Sequence, residues 1–358
     1  MIQGGTIDNS YVCPRTHVPL RQDGTCLKTD AESPTYALEH GIPQFLHFQP
    51  ADDPEGASRL QRLNALARSH GWKEALATVF ASEPGTMRYV TDARRAAYPD
   101  MLPIDPSRDV LEIGPGLGQM TTQLARRARS VSVLEVVPGQ AEFVAQRCAQ
   151  EQLHNVRVAV GGDDCRLPYA DASFDLVVLN LVFEWCGSRC HDEDMLDVQR
   201  RLLDEMARVL RPGGALYLAT KNRFALRYLL GRSDEHMHDL RFGNALPRWL
   251  ARLVLRATGR PRPPGLLHSH DTLGRMLKQA GFDALESFWA APEMRYPSHY
   301  VPTDAAAVRA ARREPGFVQG DGRLNRLVMS VLPAPWVRHF TPGLAFLARK
   351  PGAASAPR

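Results

Sequence analysis

The sequence predicts an α/β protein with a doubly wound, largely parallel sheet. Between residues 109 and 220, short apolar runs with the composition of buried strands alternate with segments whose apolar residues recur at helical spacing. Near-continuous apolar strands are typical of a parallel sheet that helices cover on both faces. A glycine turn that joins one strand to the next helix favours the same class.

The predicted elements follow one another in a regular order. In the first part of the core we expect a strand from Asp109, a helix over 121–128, strands over 131–136 and 156–160 around a helix over 138–151, a strand over 174–180, a helix that ends near Leu210 and a strand over 215–220. The core resumes with a helix over 269–280 and strands over 282–289 and 343–349. Two stretches, about 221–266 and 290–341, are therefore predicted to be helical insertions.

The glycine turn lies between Asp109 and Met120 and contains Gly114, Gly116 and Gly118. Glycines let the backbone bend sharply and let a ligand approach without meeting a Cβ, while the following helix directs free N–H groups at that ligand. The dinucleotide-binding fingerprint would require a glycine at the position of Gln119. The turn therefore predicts a ligand site of a different kind.

The stretch Val-Leu-Glu-Ile-Gly-Pro-Gly-Leu-Gly, residues 110–118, resembles the first motif of class I S-adenosylmethionine-dependent methyltransferases. Later landmarks of that family follow in the expected order: Glu135 at a strand end, Asp163 four residues before Leu167-Pro168, Phe174-Asp175-Leu176-Val177-Val178, and Arg211-Pro212-Gly213-Gly214. The resemblance implies a seven-stranded methyltransferase sheet, S-adenosylmethionine as methyl donor and a transferase activity.

The same resemblance implies a set of cofactor-binding residues. The turn would lie under the amino acid half of S-adenosylmethionine, Glu135 would accept both ribose hydroxyls, and Asp163 would accept the adenine amine. Asp164 would donate its amide to a ring nitrogen, and it could exchange roles with Asp163. The full cofactor set is Glu112, Gly114, Gly116, Gly118, Glu135, Asp163, Asp164 and Asn180.

The acceptor should lie over the fourth and fifth strands, because ligands of open α/β sheets bind beyond the carboxyl ends of the strands. Glu184 follows the fourth strand and is a candidate general base, and Trp185 could wall the cavity for methyl transfer. Alternatively, both residues have structural roles: Glu184 is a charge at a helix N-terminus, and Trp185 is a core side chain.

Two further candidate bases, His236 and His238, follow the fifth strand. The surrounding residues resemble a bacterial subgroup linked to cell-surface polysaccharide or secondary-metabolite synthesis, although Lys221 replaces the glutamate of that subgroup. The pattern Asp234-x-His236-x-His238 could instead hold a metal or be a solvated acidic loop. We expect no metal.

The N-terminal residues 1–50 resemble a zinc ribbon that has lost most of its ligands. Thr16 and Thr29 stand where cysteines belong, which leaves Cys13, His17 and Cys26 without a fourth ligand. A metal-free β-ribbon is the expectation. We further predict a helical cover over 51–105, the methyltransferase domain over 106–350 and a disordered tail over 351–358.

The composition of the chain predicts the cellular compartment of the protein. No apolar run reaches the roughly 20 residues needed to span a bilayer, and the first ten residues lack the features of a signal peptide. Six cysteines in 358 residues are too few for a disulfide framework. We therefore expect a cytoplasmic protein with reduced cysteines, and the net charge of +5 permits an anionic partner without requiring one.

One segment, about 246–257, is predicted to be a basic amphipathic helix. Its apolar face would comprise Leu246, Trp249, Leu250, Leu253, Val254 and Ala257, with Arg248, Arg252 and Arg256 turned away. Such a helix can lie on an anionic membrane or serve as a lid on its own domain.

Together these features favour O-methylation of a small-molecule or glycan-like acceptor, with an unknown oligomeric state. The first alternative is an rRNA or tRNA methyltransferase, although the basic residues are interleaved with acidic ones and nucleic acid is not the expected partner. The second alternative is a non-catalytic subunit that binds the cofactor.

Overall fold

The structure is a computed structural model and describes residues 11–30, 34–48, 53–96, 98–320 and 322–352. The strands are Arg21–Asp23 (β1), Cys26–Lys28 (β2), Thr35–Glu39 (β3), Ile42–Pro43 (β4), Asp109–Ile113 (β5), Ser130–Glu135 (β6), Val156–Val160 (β7), Phe174–Asn180 (β8), Leu210–Lys221 (β9), Leu285–Ala291 (β10), His299–Pro302 (β11) and Gly343–Arg349 (β12).

Helices lie between many of these strands along the chain. They are Pro54–His70 (α1), Trp72–Val79 (α2), Pro84–Thr91 (α3), Gln119–Ala125 (α4), Pro138–Gln150 (α5), Met195–Val209 (α6), Leu226–Leu229 (α7), Arg248–Ala257 (α8), His270–Gln279 (α9), Ala305–Ala311 (α10), Arg323–Val331 (α11) and Val337–Phe340 (α12). Short 3₁₀ helices cover Ala93–Ala96, Tyr98–Met101, Phe183–Trp185, Glu235–Met237 and Ala334–Trp336.

The predicted α/β class is confirmed by an eight-stranded sheet with the order β11-β10-β12-β9-β8-β5-β6-β7. Strands β5, β6 and β7 pair in parallel, in a register that sets Ile113 beside Leu134 and Glu135 beside Val160. This register brings the carboxyl ends of β5 and β6 to the same edge of the sheet, which is where the glycine turn begins.

The sheet has one strand more than the seven that we predicted. The additional strand, β11, lies in the second predicted insertion and pairs antiparallel with β10 at the edge of the sheet. It is only four residues long and ends in Pro302. A proline has no N–H to donate, so a strand that contains one is suited to an edge position.

The N-terminal β-ribbon forms a separate four-stranded antiparallel sheet in the order β1-β2-β3-β4. A tight turn at Gly24, with φ +59°, joins β1 to β2. Beside this sheet, Tyr11 forms an isolated bridge with Tyr169, and its ring lies 5.3 Å from that of Phe45. Residues 1–10, 31–33 and 49–50, which the prediction for 1–50 includes, lie outside the described residues.

The chain divides into two compact units. The first unit holds the described residues of Met1–Val178 together with Asp204–Ala215, and the second holds Leu179–Leu203 and Leu216–Pro351. In the first unit α1, α2 and α5 share a core that includes Leu63, Leu76 and Phe143. In the second unit Trp289 is fully buried and packs with Val301, Val308 and Met329.

Helix α8 forms close to its predicted position, but its buried face differs from the expected apolar stripe. Ala251 and Leu255 are buried against Met237, whereas Trp249 and Leu253 are 69% and 56% exposed. Apolar residues occupy more than one face of this helix, and packing against Met237 selects the face that carries Ala251 and Leu255. Among the described residues, no helix combines the length and the hydrophobicity that crossing a membrane requires.

Candidate functional site

The glycine turn connects β5 to α4 in the first unit. Gly116 and Gly118 have φ values of +58° and +77°, in the left-handed region that favours glycine. At Gly116 no heavy atom lies within 4 Å of the place that a Cβ would occupy, whereas a Cβ on Gly118 would lie 3.1 Å from a methyl of Val144. There is therefore open space at the Cβ position of Gly116, whereas the Cβ position of Gly118 is closely packed against Val144.

The Glu135 carboxylate lies beside this turn and is held by backbone amides. The Gly116 amide donates to Oε2 at 3.2 Å, and the amides of Val136 and Val137 donate to Oε1 at 2.8 and 3.0 Å. The side chain is only 4% exposed. Three amides thus fix a buried acceptor against the glycine turn.

A second carboxylate, Glu112, lies in β5 and is also buried. Its Oε2 accepts a hydrogen bond of 2.6 Å from Thr121 Oγ1 of α4. Burial raises the pKa of Glu112 to about 7, the nearby charge of Glu135 adds to the rise, and the Thr121 hydrogen bond and Arg147 oppose it. The site would stabilise the ionised form of Glu112 only if a cation bound nearby.

Asp163 and Asp164 follow β7. The amides of His47 and Phe48 donate to the Asp163 carboxylate, at 3.0 Å to Oδ1 and 2.7 Å to Oδ2, so the N-terminal segment already uses part of this expected acceptor. Asp164 lies 3.8 Å from the guanidinium of Arg15, and burial is the main cause that raises its pKa. No local pattern predicted these two amides, because 116 and 115 residues separate His47 and Phe48 from Asp163.

These residues fit the donor that the resemblance implies. A ribose needs acceptors for two hydroxyls, which the Glu135 carboxylate can supply, and the amino acid carboxylate needs N–H donors of the kind that a glycine turn presents. The open space above Gly116 would admit the backbone-facing part of such a ligand. Asn180 is the last residue of β8, is half-buried and belongs to the second unit.

The second unit holds the candidate acceptor residues, beginning with Glu184 in the short 3₁₀ helix after β8. Glu184 is 1% exposed, and its Oε2 accepts a hydrogen bond of 2.7 Å from Thr220 Oγ1 of β9. Its Oε1 is buried and has no hydrogen-bond partner. Burial raises the pKa of Glu184, and the Thr220 hydrogen bond and the charges of His236 and Lys221 oppose the rise.

His236 lies in the same unit and is fully buried. Its Nδ1 is 2.9 Å from Asp234 Oδ1, and its ring centroid is 4.1 Å from that of Trp185. The Asp234 carboxylate is in turn held by the hydroxyl of Tyr228 at 2.9 Å and by the amide of Asn244 at 2.7 Å. The remaining ring nitrogen, Nε2, is buried and finds no hydrogen-bond partner among the described residues.

The other candidates in this segment differ in surroundings. His238 is half-buried, and its Nε2 lies 3.0 Å from the carbonyl oxygen of Arg262 rather than against Asp234. Lys221 pairs with Glu235, and its Nζ lies 4.0 Å from Asp234. Sequence reasoning missed Thr220, Tyr228 and Asn244 as supporting residues, since nothing local in the sequence links them to Glu184 or His236.

The N-terminal sheet contains the residues of the degenerate zinc-ribbon prediction. Cys13 is buried, with its Sγ 3.2 Å from the hydroxyl of Tyr36, and Cys26 Sγ donates to the carbonyl of Asp23. His17 lies 3.6 Å from Glu205. In the part of the chain that the structure describes, no three side chains of His, Cys, Asp or Glu gather as a metal site would require.

Comparisons with known proteins agree with this geometry. The family described as a methyltransferase domain matches residues 111–218. A biotin biosynthesis bifunctional protein from Cellvibrio japonicus is 32% identical over 177 residues, which is 48% of this chain and 32% of that protein. A malonyl-[acyl-carrier protein] O-methyltransferase from Pectobacterium atrosepticum is 30% identical over 151 residues, which is 41% of this chain and 53% of that protein.

A solved S-adenosylmethionine-dependent methyltransferase from Thermotoga maritima aligns over 76% of this chain and 96% of its own, with 16% identity and a TM-score of 0.41. The chain spans from about a third to about half of the length of the two curated relatives. The matched region contains β5, the glycine turn, Glu135, Asp163 and most of β9. Residues 111–218 therefore form a methyltransferase domain, with the motif order of the class I S-adenosylmethionine-dependent methyltransferases.

Proposed function

We propose that this protein transfers a methyl group from S-adenosylmethionine to a hydroxyl of a small-molecule or glycan-like acceptor, with His236 as general base. The observation that carries the proposal is the Asp234–His236 pair. Its Nδ1 contact of 2.9 Å leaves Nε2 buried and without a hydrogen-bond partner. A buried ring nitrogen with no partner is costly unless a ligand uses it.

The pair has the arrangement that proton removal requires. With Nδ1 donating to the Asp234 carboxylate, Nε2 is the lone-pair nitrogen that accepts the acceptor's hydroxyl proton. Asp234 then stabilises the imidazolium, and Tyr228 and Asn244 keep its carboxylate in place. When bound, S-adenosylmethionine supplies a methyl group on a sulfonium leaving group. The acceptor oxygen therefore needs only positioning and loss of its proton.

Glu184 is proposed to position the acceptor. Its Oε1 has no hydrogen-bond partner among the described residues, and burial raises the pKa of its carboxyl group, so this group can share a proton with a hydroxyl of the acceptor. Thr220 holds the other carboxyl oxygen, so the carboxyl group has a fixed orientation. His238 stays a candidate base of lower rank, because its Nε2 contacts a backbone carbonyl.

For the cofactor we propose the full set that the resemblance implies: Glu112, Gly114, Gly116, Gly118, Glu135, Asp163, Asp164 and Asn180. The three amide contacts to Glu135 and the open space above Gly116 support the ribose and amino acid parts of this assignment. The adenine assignment requires Asp163 to accept one more donor besides the His47 and Phe48 amides. A carboxylate has enough lone pairs to do so.

The experiment that tests this function is transfer of label from methyl-labelled S-adenosylmethionine to a host extract separated into RNA, lipid-glycan and small-molecule pools. We expect label in a small-molecule or lipid-glycan pool, on oxygen. Label in RNA, with binding that falls steeply with salt, would replace the proposal by the RNA alternative. Cofactor binding without release of S-adenosylhomocysteine from any pool would support the non-catalytic alternative.

We also propose that α8 touches an anionic membrane surface. Trp249 and Leu253 are exposed on the helix face that also carries Arg252 and Arg256, and these arginines are exposed. The stretch 240–270 has no Asp or Glu and contains Arg241, Arg248, Arg252, Arg256, Arg260 and Arg262. An exposed tryptophan among arginines suits the interface of a bilayer that contains anionic lipids.

A further inference from the structure

The second unit contains a cavity whose charged lining the proposed reaction does not use. Its cavity volume is about 60 Å³, and it opens to solvent. Four arginines line it, namely Arg223, Arg248, Arg252 and Arg262, together with apolar side chains such as Met237 and Leu266. We call it the arginine cavity. A cavity that is apolar with a few convergent charges has the general character of a ligand site.

The two inner arginines are fixed by backbone carbonyls. Arg223 is half-buried, and it donates from Nε to Asn244 O at 3.0 Å and from Nη2 to Leu246 O at 2.7 Å. Arg248, at the start of α8, donates to Leu267 O at 3.1 Å. These contacts hold the guanidinium groups in place, and neither arginine forms an ion pair among the described residues, although the charge of Asp194 acts on Arg248.

No carboxylate lines the arginine cavity. Among described residues, the one ion pair of these four arginines joins Arg252 to Asp194 at 3.6 Å. Burial and the charge of Arg248 lower the pKa of Arg223, and burial with the charges of Arg248, Arg223 and Arg200 lowers the pKa of His268 to about 3. The wall of the cavity therefore carries positive charge that the described protein groups do not neutralise.

We propose that the arginine cavity binds a phosphate group. A guanidinium presents paired N–H donors that match phosphate oxygens, and a phosphate carries about −1.5 to −2 charges at neutral pH. Two half-buried arginines, with Arg252 and Arg262 beside them at the exposed rim, give this group several donors. The apolar lining would pack against the carbon body of the same ligand.

The position of Gly265 links this cavity to the proposed general base. Gly265 lines the arginine cavity, and a Cβ on it would lie 2.5 Å from His236 Cδ2 and 2.9 Å from the carbonyl oxygen of Glu184. The wall at Gly265 therefore separates the cavity from His236 by no more than a van der Waals contact. Resting on the proposed function, the inference is that the acceptor is a phosphate ester whose phosphate occupies the cavity while its hydroxyl faces His236.

Phosphate binding is tested directly, without turnover. Isothermal titration of the full-length protein with phenyl phosphate, inorganic phosphate and benzyl alcohol should show phenyl phosphate as the tightest of the three and no binding of benzyl alcohol. We expect Arg223→Gln and Arg252→Gln each to weaken phenyl phosphate at least tenfold. Arg309→Gln, an exposed arginine of α10 outside the cavity, should leave it unchanged. Because Arg252 has no backbone carbonyl partner among its contacts, its variant is informative even if Arg223→Gln unfolds.

Two arms distinguish the source of the phosphate. Vesicles of phosphatidylglycerol, with phosphatidylcholine as reference, test a lipid-borne phosphate, and the soluble probes test a free one. Loss of phenyl phosphate binding in Arg252→Gln supports the proposal. In the vesicle arm the informative variant is Arg223→Gln, because Arg223 lies outside α8 whereas Arg252 also belongs to the face of α8 that is proposed to touch a membrane. Absence of binding in both arms, or equal binding by Arg252→Gln and Arg309→Gln, overturns it. His236→Gln should keep phosphate binding, so failure of the general-base assignment and failure of the phosphate site give different results.

Discussion

The two units hold their functional carboxyl groups by different means. In the first unit backbone amides hold Glu135, and they come from the adjacent turn and from the two residues that follow Glu135. In the second unit side chains do this work: Thr220 holds Glu184 from 36 residues away, and Tyr228 and Asn244 hold the Asp234 partner of His236.

The difference between amide donors and side-chain donors indicates how readily each region can change in sequence. Amide donors are set by backbone conformation and survive changes of side chain, which suits a pocket for one invariant donor molecule. Side-chain donors can be exchanged one at a time, which suits a pocket whose ligand differs between proteins. Substitutions should therefore separate the cofactor binding that is proposed for the first unit from the proton removal that is proposed for the second.

The largest effect is expected for His236→Gln. It removes the proposed base and keeps a polar group in a fully buried position, so kcat should fall by about 10²–10⁴-fold, the usual contribution of a general base. The dissociation constant for S-adenosylmethionine should stay within about twofold. Turnover of the labelled acceptor pool measures kcat, and equilibrium titration with S-adenosylmethionine measures the dissociation constant.

Two companion variants sharpen this assignment. Asp234→Asn keeps the shape of the partner and loses its charge, so it should reduce kcat less than His236→Gln does. His238→Gln should cost less than about tenfold, because His238 contacts a carbonyl and not Asp234. A kcat of His236→Gln within threefold of wild type, or a larger loss in His238→Gln, would show that the base has been misassigned.

The next effect is expected for Glu135→Gln. The loss of charge-assisted hydrogen bonds to two ribose hydroxyls should weaken S-adenosylmethionine by about 10²-fold, since each such bond contributes about 1.5–3 kcal/mol. At saturating cofactor, kcat should recover most of its wild-type value, which His236→Gln cannot do. Glu39→Gln, an exposed glutamate of β3, is the matched control. Equal affinities of the two variants would remove Glu135 from the cofactor site.

The same contrast explains how far the sequence predicts the molecule. The parallel core was predictable because buried strands such as β5 and β8 are short apolar runs between helical segments. Glu135 was assigned to the ribose from its place in the motif order of the family, and that assignment stays a prediction; its Gly116 partner lies 19 residues away in the chain. The surroundings of His236 were not predictable, since Trp185 and Gly265 reach it from 51 residues before and 29 residues after it in the chain.

Strand β11 and helix α8 show two other physical limits on prediction from the sequence. Strand β11 has only four residues, too few for a period-2 pattern, so nothing distinguished it from a loop. In α8 the sequence allowed several apolar stripes, and the choice of Ala251 and Leu255 as the buried pair depends on Met237, which belongs to a different segment. Periodicity predicts a helix, but tertiary packing decides which face is buried.

A smaller effect concerns the stability of the first unit. The pKa of Glu112 is raised to about 7, so between pH 4.5 and 7 the unfolded chain loses this proton while the folded protein keeps it. The free energy of unfolding should therefore fall over that range through Glu112, and Glu112→Gln should gain about 2–3 kcal/mol relative to wild type between pH 4.5 and 7.5. Urea unfolding of both proteins at several pH values measures this difference.

Glu112→Gln also sharpens the comparison between the units. The amide can still accept the Thr121 hydroxyl, so stability should rise while cofactor affinity falls, because a negative charge near the cationic donor is lost. Glu39→Gln should show no such pH-dependent gain. A stability difference between Glu112→Gln and wild type that stays constant from pH 4.5 to 7.5 would contradict the raised pKa.

The smallest effect is expected for Leu253→Ser on α8. Removing one apolar side chain that would reach the lipid interface should weaken binding to phosphatidylglycerol vesicles by about threefold to tenfold, because the interface buries only part of a leucine. Leu324→Ser on α11 is a closely matched control, since Leu253 and Leu324 are both 56% exposed. Vesicle sedimentation measures both. If the two variants lost affinity equally, the binding would follow general surface hydrophobicity, and the arginine-flanked face of α8 would have no special part in it.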